Sequence, residues 1–164
     1  VAFSVGEEEL SGLDTKPLVG HLAAWNYYQS LDTPQNKQFV SNFKAYCKKN
    51  NLPDGDKRVT DDPIEAAYFG VHVWKQAVEK AGSIDVDKVR KAVYGQKFLA
   101  PGGEIMMDQG NHHTHKPVLI GEILKDGQFK IVWKSKGLVE PDSYSKFLWP
   151  KGDFPAPTGG PKAK

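Results

Sequence analysis

The spacing of apolar positions changes character along the chain. Residues 1–5 (VAFSV) form a short, almost continuous apolar run, the pattern of a strand covered on both faces as in a parallel sheet. Gly6 and three glutamates, Glu7, Glu8 and Glu9, end it. Carboxylates suit the first turn of a helix, where free N–H groups and the helix dipole favour negative charge by about 0.3 to 1 kcal/mol each, so residues 7–13 are expected to form a short helix. Residues 19–28 are again apolar and aromatic, a second candidate strand or extended crossover.

A helical period then takes over. Thr33 can cap, and Pro34 can open, a helix to about residue 49, with Phe39, Val40, Phe43, Tyr46 and Cys47 as its buried stripe. NNLPDGDKR is a loop by its Pro, Asp and Gly content. DDPIE restarts a helix, with Asp62 as cap, Pro63 first and Glu65 placed as in a capping box. Ile64, Ala67, Tyr68, Val71, Trp74, Val78 and Ala81 are expected to form its inner face, and Gly82 to end it. Asp85 is expected to cap a further helix to about residue 94, closed by Gly95.

From Phe98 the pattern turns to glycines, β-formers and turns. Residues 118–124 and 129–133 are expected to be strands joined through KDGQ, because Asp126-Gly127 can take positive φ at both central positions of a hairpin. Residues 150–164 are rich in Pro and Gly and are expected to be a flexible tail.

Composition narrows the possible functions. A content of 39% hydrophobic and 26% charged residues fits a globular chain with a core, and the apolar runs fall far short of the roughly 20 residues that cross a bilayer. The 22 basic and 20 acidic residues are interspersed with no basic stripe, so no nucleic acid partner is expected. Cys47 is the sole cysteine, which rules out an internal disulfide and leaves it as a packed hydrophobe on a helix. The strand-like opening at Val1 is expected to belong to a fragment whose preceding half is missing.

Catalytic motifs do not emerge. There is no Gly-x-Ser-x-Gly elbow, P-loop or dinucleotide glycine pattern, so neither an enzyme nor a cofactor is expected. His112, His113 and His115 in NHHTHKP could suggest a metal, yet a structural zinc site needs four tetrahedral ligands and this loop offers no cysteine or well-spaced carboxylate. They are expected to sit in a turn and bond backbone, with no metal. The acidic strand end carries more. In open α/β sheets ligands bind outside the carboxyl ends of strands, where Ser4, Gly6, Glu7 and Glu8 would lie; the alternative is a solvated first turn with no ligand.

FSVGEEEL, HLAAWNYYQSLDTPQNKQFV, DDPIEAAYFGVHVWKQAVEKAG, GGEIMMDQGNHHTHKPVLIGEI and DGQFKIVW occur here in that order. Together they resemble the carboxyl-terminal half of the type I periplasmic solute-binding proteins of the branched-chain amino acid, amide and urea branch, most narrowly the urea-binding subunits of bacterial urea ABC transporters. The likeness covers about residues 1–148. It implies an α/β, periplasmic-binding-protein-like type I fold of two lobes around a cleft. Residues 1–27 would then be a second-lobe segment, 28–99 a first-lobe helical segment, 100–149 second-lobe strands and hairpin, and 150–164 the tail. The implied function is capture of urea or a short-chain amide in the periplasm for ABC permease membrane subunits. A cytoplasmic amide sensor and a branched-chain amino acid binder of the same fold remain as alternatives, and a metal-binding or hydrolytic protein using the three histidines as a third.

By the same resemblance Ser4 and Glu8 are the first ligand-contact candidates, with Glu7 as an alternative one position away. Asp62, Glu65 and Tyr68 at the start of the Pro63 helix form a second set, although Tyr68 also fits the buried stripe. Urea offers four N–H donors and one carbonyl acceptor, which suits a carboxylate able to accept two N–H groups at once. Helices made for a first lobe without its sheet are expected to expose Phe39, Phe43 and Trp74.

Overall fold

The computed structural model describes residues 1–142, 144 and 147–151; the expected tail lies outside the described residues beyond residue 151. Two small antiparallel sheets organise the chain. In the first, β1 (Leu22–Trp25) pairs with β5 (Leu119–Ile123), and β5 pairs with β6 (Phe129–Lys134). The expected hairpin is present, with Gly127 at φ 77° and Gln128 N–H donating to Asp126 Oδ1. Only the glycine takes positive φ, so the side chain of Asp126 acts as an acceptor within the turn instead.

The opening apolar run is less than the strand expected of it. It meets the sheet through a single parallel bridge, Ala2 to Ala23, with Ala2 N–H donating to Leu22 O at 2.8 Å and Ala24 N–H to Ala2 O at 2.9 Å. Val1 and Phe3 are 72% and 74% exposed, because this run has a partner on one edge and no layer over its outer side.

The second sheet was not foreseen. β2 (Lys97–Ala100), β3 (Gly103–Met107) and β4 (Thr114–His115) pair in sequence order, turning at Pro101 and Gly102. Its strands are short and glycine-broken, which hides the period-2 signal.

Caps place the helices. α1 (Glu7–Ser11) begins at Gly6, whose N–H donates to Glu9 Oε2 at 2.6 Å. α2 (Pro34–Lys49) matches its expected bounds, with Thr33 Oγ1 accepting from Asn36 N–H. α3 (Asp62–Ala81) is capped one residue earlier than expected, since Asp61 Oδ1, not Asp62, accepts from Ile64 N–H at 3.0 Å. α4 (Val86–Ala92) has the expected Asp85 cap and ends two residues early.

The inner face of α3 is also rotated from the expected one. Glu65, Phe69, Val73 and Ala77 are buried, whereas Tyr68, Val71 and Trp74 are 42%, 65% and 56% exposed. Phe69 and Val73 pack with Ala100 and Ile105 of the unforeseen sheet, so the position of that sheet decided which apolar stripe turned inward. On α2, Phe39 and Cys47 are buried as the helical stripe predicts and Phe43 is half-buried, so of the three aromatics expected to be exposed only Trp74 is, because Phe39 packs against Tyr27 in the larger core; Tyr46 is exposed and Asn36 takes an interior place.

The larger core unites Leu10, Ala23, Tyr27, Tyr28, Leu31, Phe39, Leu119, Ile123 and Phe129. Tyr28 shows how tightly it is fitted. Its ring lies on Gly121, where a Cβ would stand 2.7 Å from Cζ, and its hydroxyl donates to Ala23 O at 2.6 Å.

Candidate functional site

The starts of α1 and α3 meet although more than fifty residues separate them in sequence. A Cβ on Gly6 would stand 3.3 Å from Glu9 Oε2, 3.5 Å from Asp61 Cβ and 3.9 Å from Trp25 Nε1. Trp25 Nε1–H donates to Val5 O at 2.8 Å, which ties the strand end to β1. The result is an acidic corner where Glu7, Glu8, Glu9, Asp61 and Asp62 converge on two helix N-termini, a setting that favours negative charge.

The candidate residues take different places in this corner. Ser4 is exposed. Glu8 is half-buried, with its Oε1 3.7 Å from the Arg58 guanidinium. Glu7 points inward and is 1% exposed; its Oε1 accepts from Gln29 N–H at 2.6 Å, and its Oε2 has no hydrogen-bond partner. Desolvation, reinforced by Asp61 and Asp62, pushes the Glu7 carboxyl up to about 8, so it carries its proton at neutral pH.

Asp62 and Glu65 are gathered by one cation. Lys116 Nζ lies 2.9 Å from Glu65 Oε2 and 3.2 Å from Asp62 Oδ1, and also 4.9 Å above the Phe69 ring. The second Glu65 oxygen accepts from Gly102 N–H at 3.1 Å, so both its oxygens are engaged. Burial pushes the Glu65 carboxyl up, and Lys116 and Gly102 oppose that shift. Burial likewise raises Asp61, although Ile64 N–H favours its ionised form.

Tyr68 lies away from the corner. It is neither buried core nor part of the acidic group, packing against Phe39 and His72 with ring centroids 4.8 and 4.6 Å apart. The three histidines, expected to bond backbone, take separate places: His112 stacks on Tyr94 and bonds Arg90 O, His115 pairs with the Asp108 side chain at 2.8 Å instead, and His113 is exposed. Among the described residues no group of three or more His, Cys, Asp or Glu side chains is placed to hold a metal.

Behind the corner runs a buried polar network that sequence reasoning missed. Tyr27 hydroxyl meets Asn36 Oδ1 at 2.7 Å and Thr60 Oγ1 at 2.8 Å, and Thr60 N–H donates to Gln29 Oε1. Asn36 Nδ2 reaches the Gln29 and Leu31 carbonyls. The one usable signal was TDDP, where either aspartate can cap; Arg58 and Lys116 gave none, because a single lysine or arginine reads as surface.

Comparisons with known proteins place the chain in a family. The family profile described as "Periplasmic binding protein domain" matches residues 1–150. "Limonene hydroxylase" of Geobacillus stearothermophilus is 33% identical over 124 residues, 76% of this chain and 21% of that protein. "Leu/Ile/Val-binding protein homolog 6" of Brucella abortus is 28% identical over 126 residues, 75% of this chain and 30% of that one. A solute-binding protein of an ABC transporter from Rhodopseudomonas palustris BisB5, solved with 3,4-dihydroxybenzoic acid, superposes with a TM-score of 0.69 at 22% identity, covering 82% of this chain and 36% of that chain. This chain therefore spans well under two thirds of each.

Proposed function

Because the chain belongs to the periplasmic binding protein family, its residues 1–150 matching that family's profile, we propose that it forms part of a non-enzymatic, extracytoplasmic solute receptor. That receptor delivers its guest to an ABC permease in the membrane. The expected lobe boundary at residue 99 falls inside the β2–β3 hairpin, whose Ala100 and Ile105 pack on Phe69 and Val73 of α3, so β2 to β4 are assigned with residues 28–99 to one lobe and residues 116–149, with 1–27, to the other. The acidic corner faces the cleft between them.

The guest is urea or a short-chain amide. The observation that carries this reading is the chemistry of the corner: Glu8, Glu9, Asp61 and Asp62 supply acceptors, whereas Lys116 is spent on Asp62 and Glu65. Such a rim suits a guest made of N–H donors and repels a free carboxylate, which disfavours an aromatic acid of the kind seen in the Rhodopseudomonas palustris protein. Ser4, Glu8 and Asp62 contact the guest, and Glu7 and Glu65 hold the walls. A branched-chain amino acid is the second reading, favoured by the name of the Brucella abortus relative and by Glu8 as an acceptor for an ammonium group, and disfavoured by the repulsion its own carboxylate meets at the same rim.

Urea has few atoms with which to bind. At the best efficiency of about −1.5 kcal/mol per heavy atom its four atoms give about −6 kcal/mol, or tens of micromolar. Closure of the lobes supplies what further affinity there is, by removing water from each matched donor and acceptor. Calorimetric titration of the full-length receptor with urea, acetamide, leucine and 3,4-dihydroxybenzoate tests the reading. Heat from urea or acetamide, weakened at least tenfold by Glu8→Gln, is expected; a response to leucine or the benzoate alone overturns it.

A further inference from the structure

The acidic corner supplies acceptors, yet urea or a primary amide also brings a carbonyl oxygen, which needs a donor. Side-chain donors at the corner are few. Lys116 Nζ is engaged by Asp62 and Glu65, and Trp25 Nε1–H donates to Val5 O. Ser4 offers one neutral hydroxyl at the exposed strand end. Arg58 differs from these: its Nη2 lies 3.7 Å from Glu8 Oε1, within ion-pair range but beyond a hydrogen bond, and among the described residues its guanidinium makes no closer polar contact.

The place of Arg58 is nonetheless set by its surroundings. Its guanidinium lies 5.9 Å from the centre of the Phe43 ring. Two residues on, Thr60 N–H donates to Gln29 Oε1 at 2.8 Å, and Thr60 Oγ1 meets the buried Tyr27 hydroxyl. The side chains of Glu8 and Arg58 remain 42% and 31% exposed, so a small solute can reach both. They also come from opposite sides of the proposed lobe boundary, Glu8 from residues 1–27 and Arg58 from residues 28–99.

We propose, resting on the cleft reading above, that Arg58 is a specificity-determining residue of that site: it donates N–H groups to the carbonyl oxygen of the guest while Glu8 accepts from the N–H beside it. The oxygen and nitrogen of an amide lie about 2.2 Å apart on one edge. Two hydrogen bonds therefore leave that edge nearly parallel and end on an acceptor and a donor held side by side, as Glu8 and Arg58 are. The guest replaces one long, solvent-screened ion pair with two charge-assisted hydrogen bonds. The class selected is ureas and primary carboxamides, which carry C=O and N–H on the same carbon. Guanidinium shares the planar shape of urea, but it has no carbonyl and bears a charge that Arg58 repels.

The test uses the full-length receptor, titrated calorimetrically with urea, acetamide, guanidinium chloride and leucine, with the carbonyl stretch of bound ¹³C-acetamide read by difference infrared spectroscopy. The parent is expected to bind urea and acetamide, to exclude guanidinium and to lower the carbonyl frequency. Arg58→Met should weaken urea about tenfold, admit guanidinium and abolish the frequency shift, with an unchanged melting temperature. Arg58→Lys keeps the charge and donors without the fork, and should still exclude guanidinium and retain part of the shift. Unchanged urea affinity in Arg58→Met, a shift that survives there and vanishes in Ser4→Ala, loss of both shift and exclusion in Arg58→Lys, or an effect of Arg58 on leucine alone each overturns the inference. Absence of urea and acetamide binding by the parent overturns the cleft reading and this inference together, whereas parent binding that is indifferent to Arg58 overturns only the inference.

Discussion

At the residue scale, buried polar groups and close contacts carry the sharpest consequences. Glu7 titrates near 8 in the folded chain against 4.5 for an ordinary glutamate, so the folded state holds an extra proton between those values. Its contribution is fully present below about pH 4.5 and is lost as pH rises through about 8, amounting to as much as about 4 to 5 kcal/mol. Glu7→Gln, which is neutral throughout, should flatten that slope and make the variant more stable than the parent at about pH 9; chemical denaturation across pH measures it. Glu65→Gln leaves Lys116 with only Asp62 in a buried setting and is expected to cost about 3 kcal/mol in the same assay. Gly121→Ala drives a methyl into the Tyr28 ring and Phe129 Cβ and should destabilise by about 2 to 3 kcal/mol, whereas Gly70→Ala, with open space around it, should not.

At the scale of elements, the start of α3 shows how one residue of register matters. TDDP offers two aspartates, and the structure uses the first as the cap. Asp61→Ala should therefore cost about 1 kcal/mol of stability, with Asp61→Asn recovering most of it, since either oxygen can accept from Ile64 N–H. Asp62→Ala should leave the cap intact and act through the loss of its pair with Lys116 and the relief of its repulsion on Glu7 and Asp61. A shift of the loss from Asp61 to Asp62 in thermal or chemical unfolding would contradict the assignment. The rotated face of the same helix has a similar origin: a 3.6-residue period was compatible with two adjacent stripes, because Tyr68, Phe69, Val71, Val73 and Trp74 are all apolar. The β2–β3 hairpin then selected Phe69 and Val73 by offering Ala100 and Ile105 as partners.

For the whole molecule, the exposed stripe left by that choice has its own consequence. Tyr46, Tyr68, Val71, Trp74 and Leu99 present large apolar side chains to solvent, an arrangement that favours association. The 164-residue chain is expected to self-associate in sedimentation experiments at micromolar concentration, with Trp74→Asp shifting it towards monomer. By itself the sequence determined the bounds of α2, the glycine end of α3, the β5–β6 turn and the acidic content of α1, because caps, prolines and glycines act over three or four neighbouring residues. Only the tertiary structure decided that Gly6 would meet Asp61, that Lys116 would bind Glu65 and that Glu7 would be stranded without a second partner. Those depend on how segments far apart in sequence pack, and burial, which sets the cost of each unpaired charge, exists only once they do.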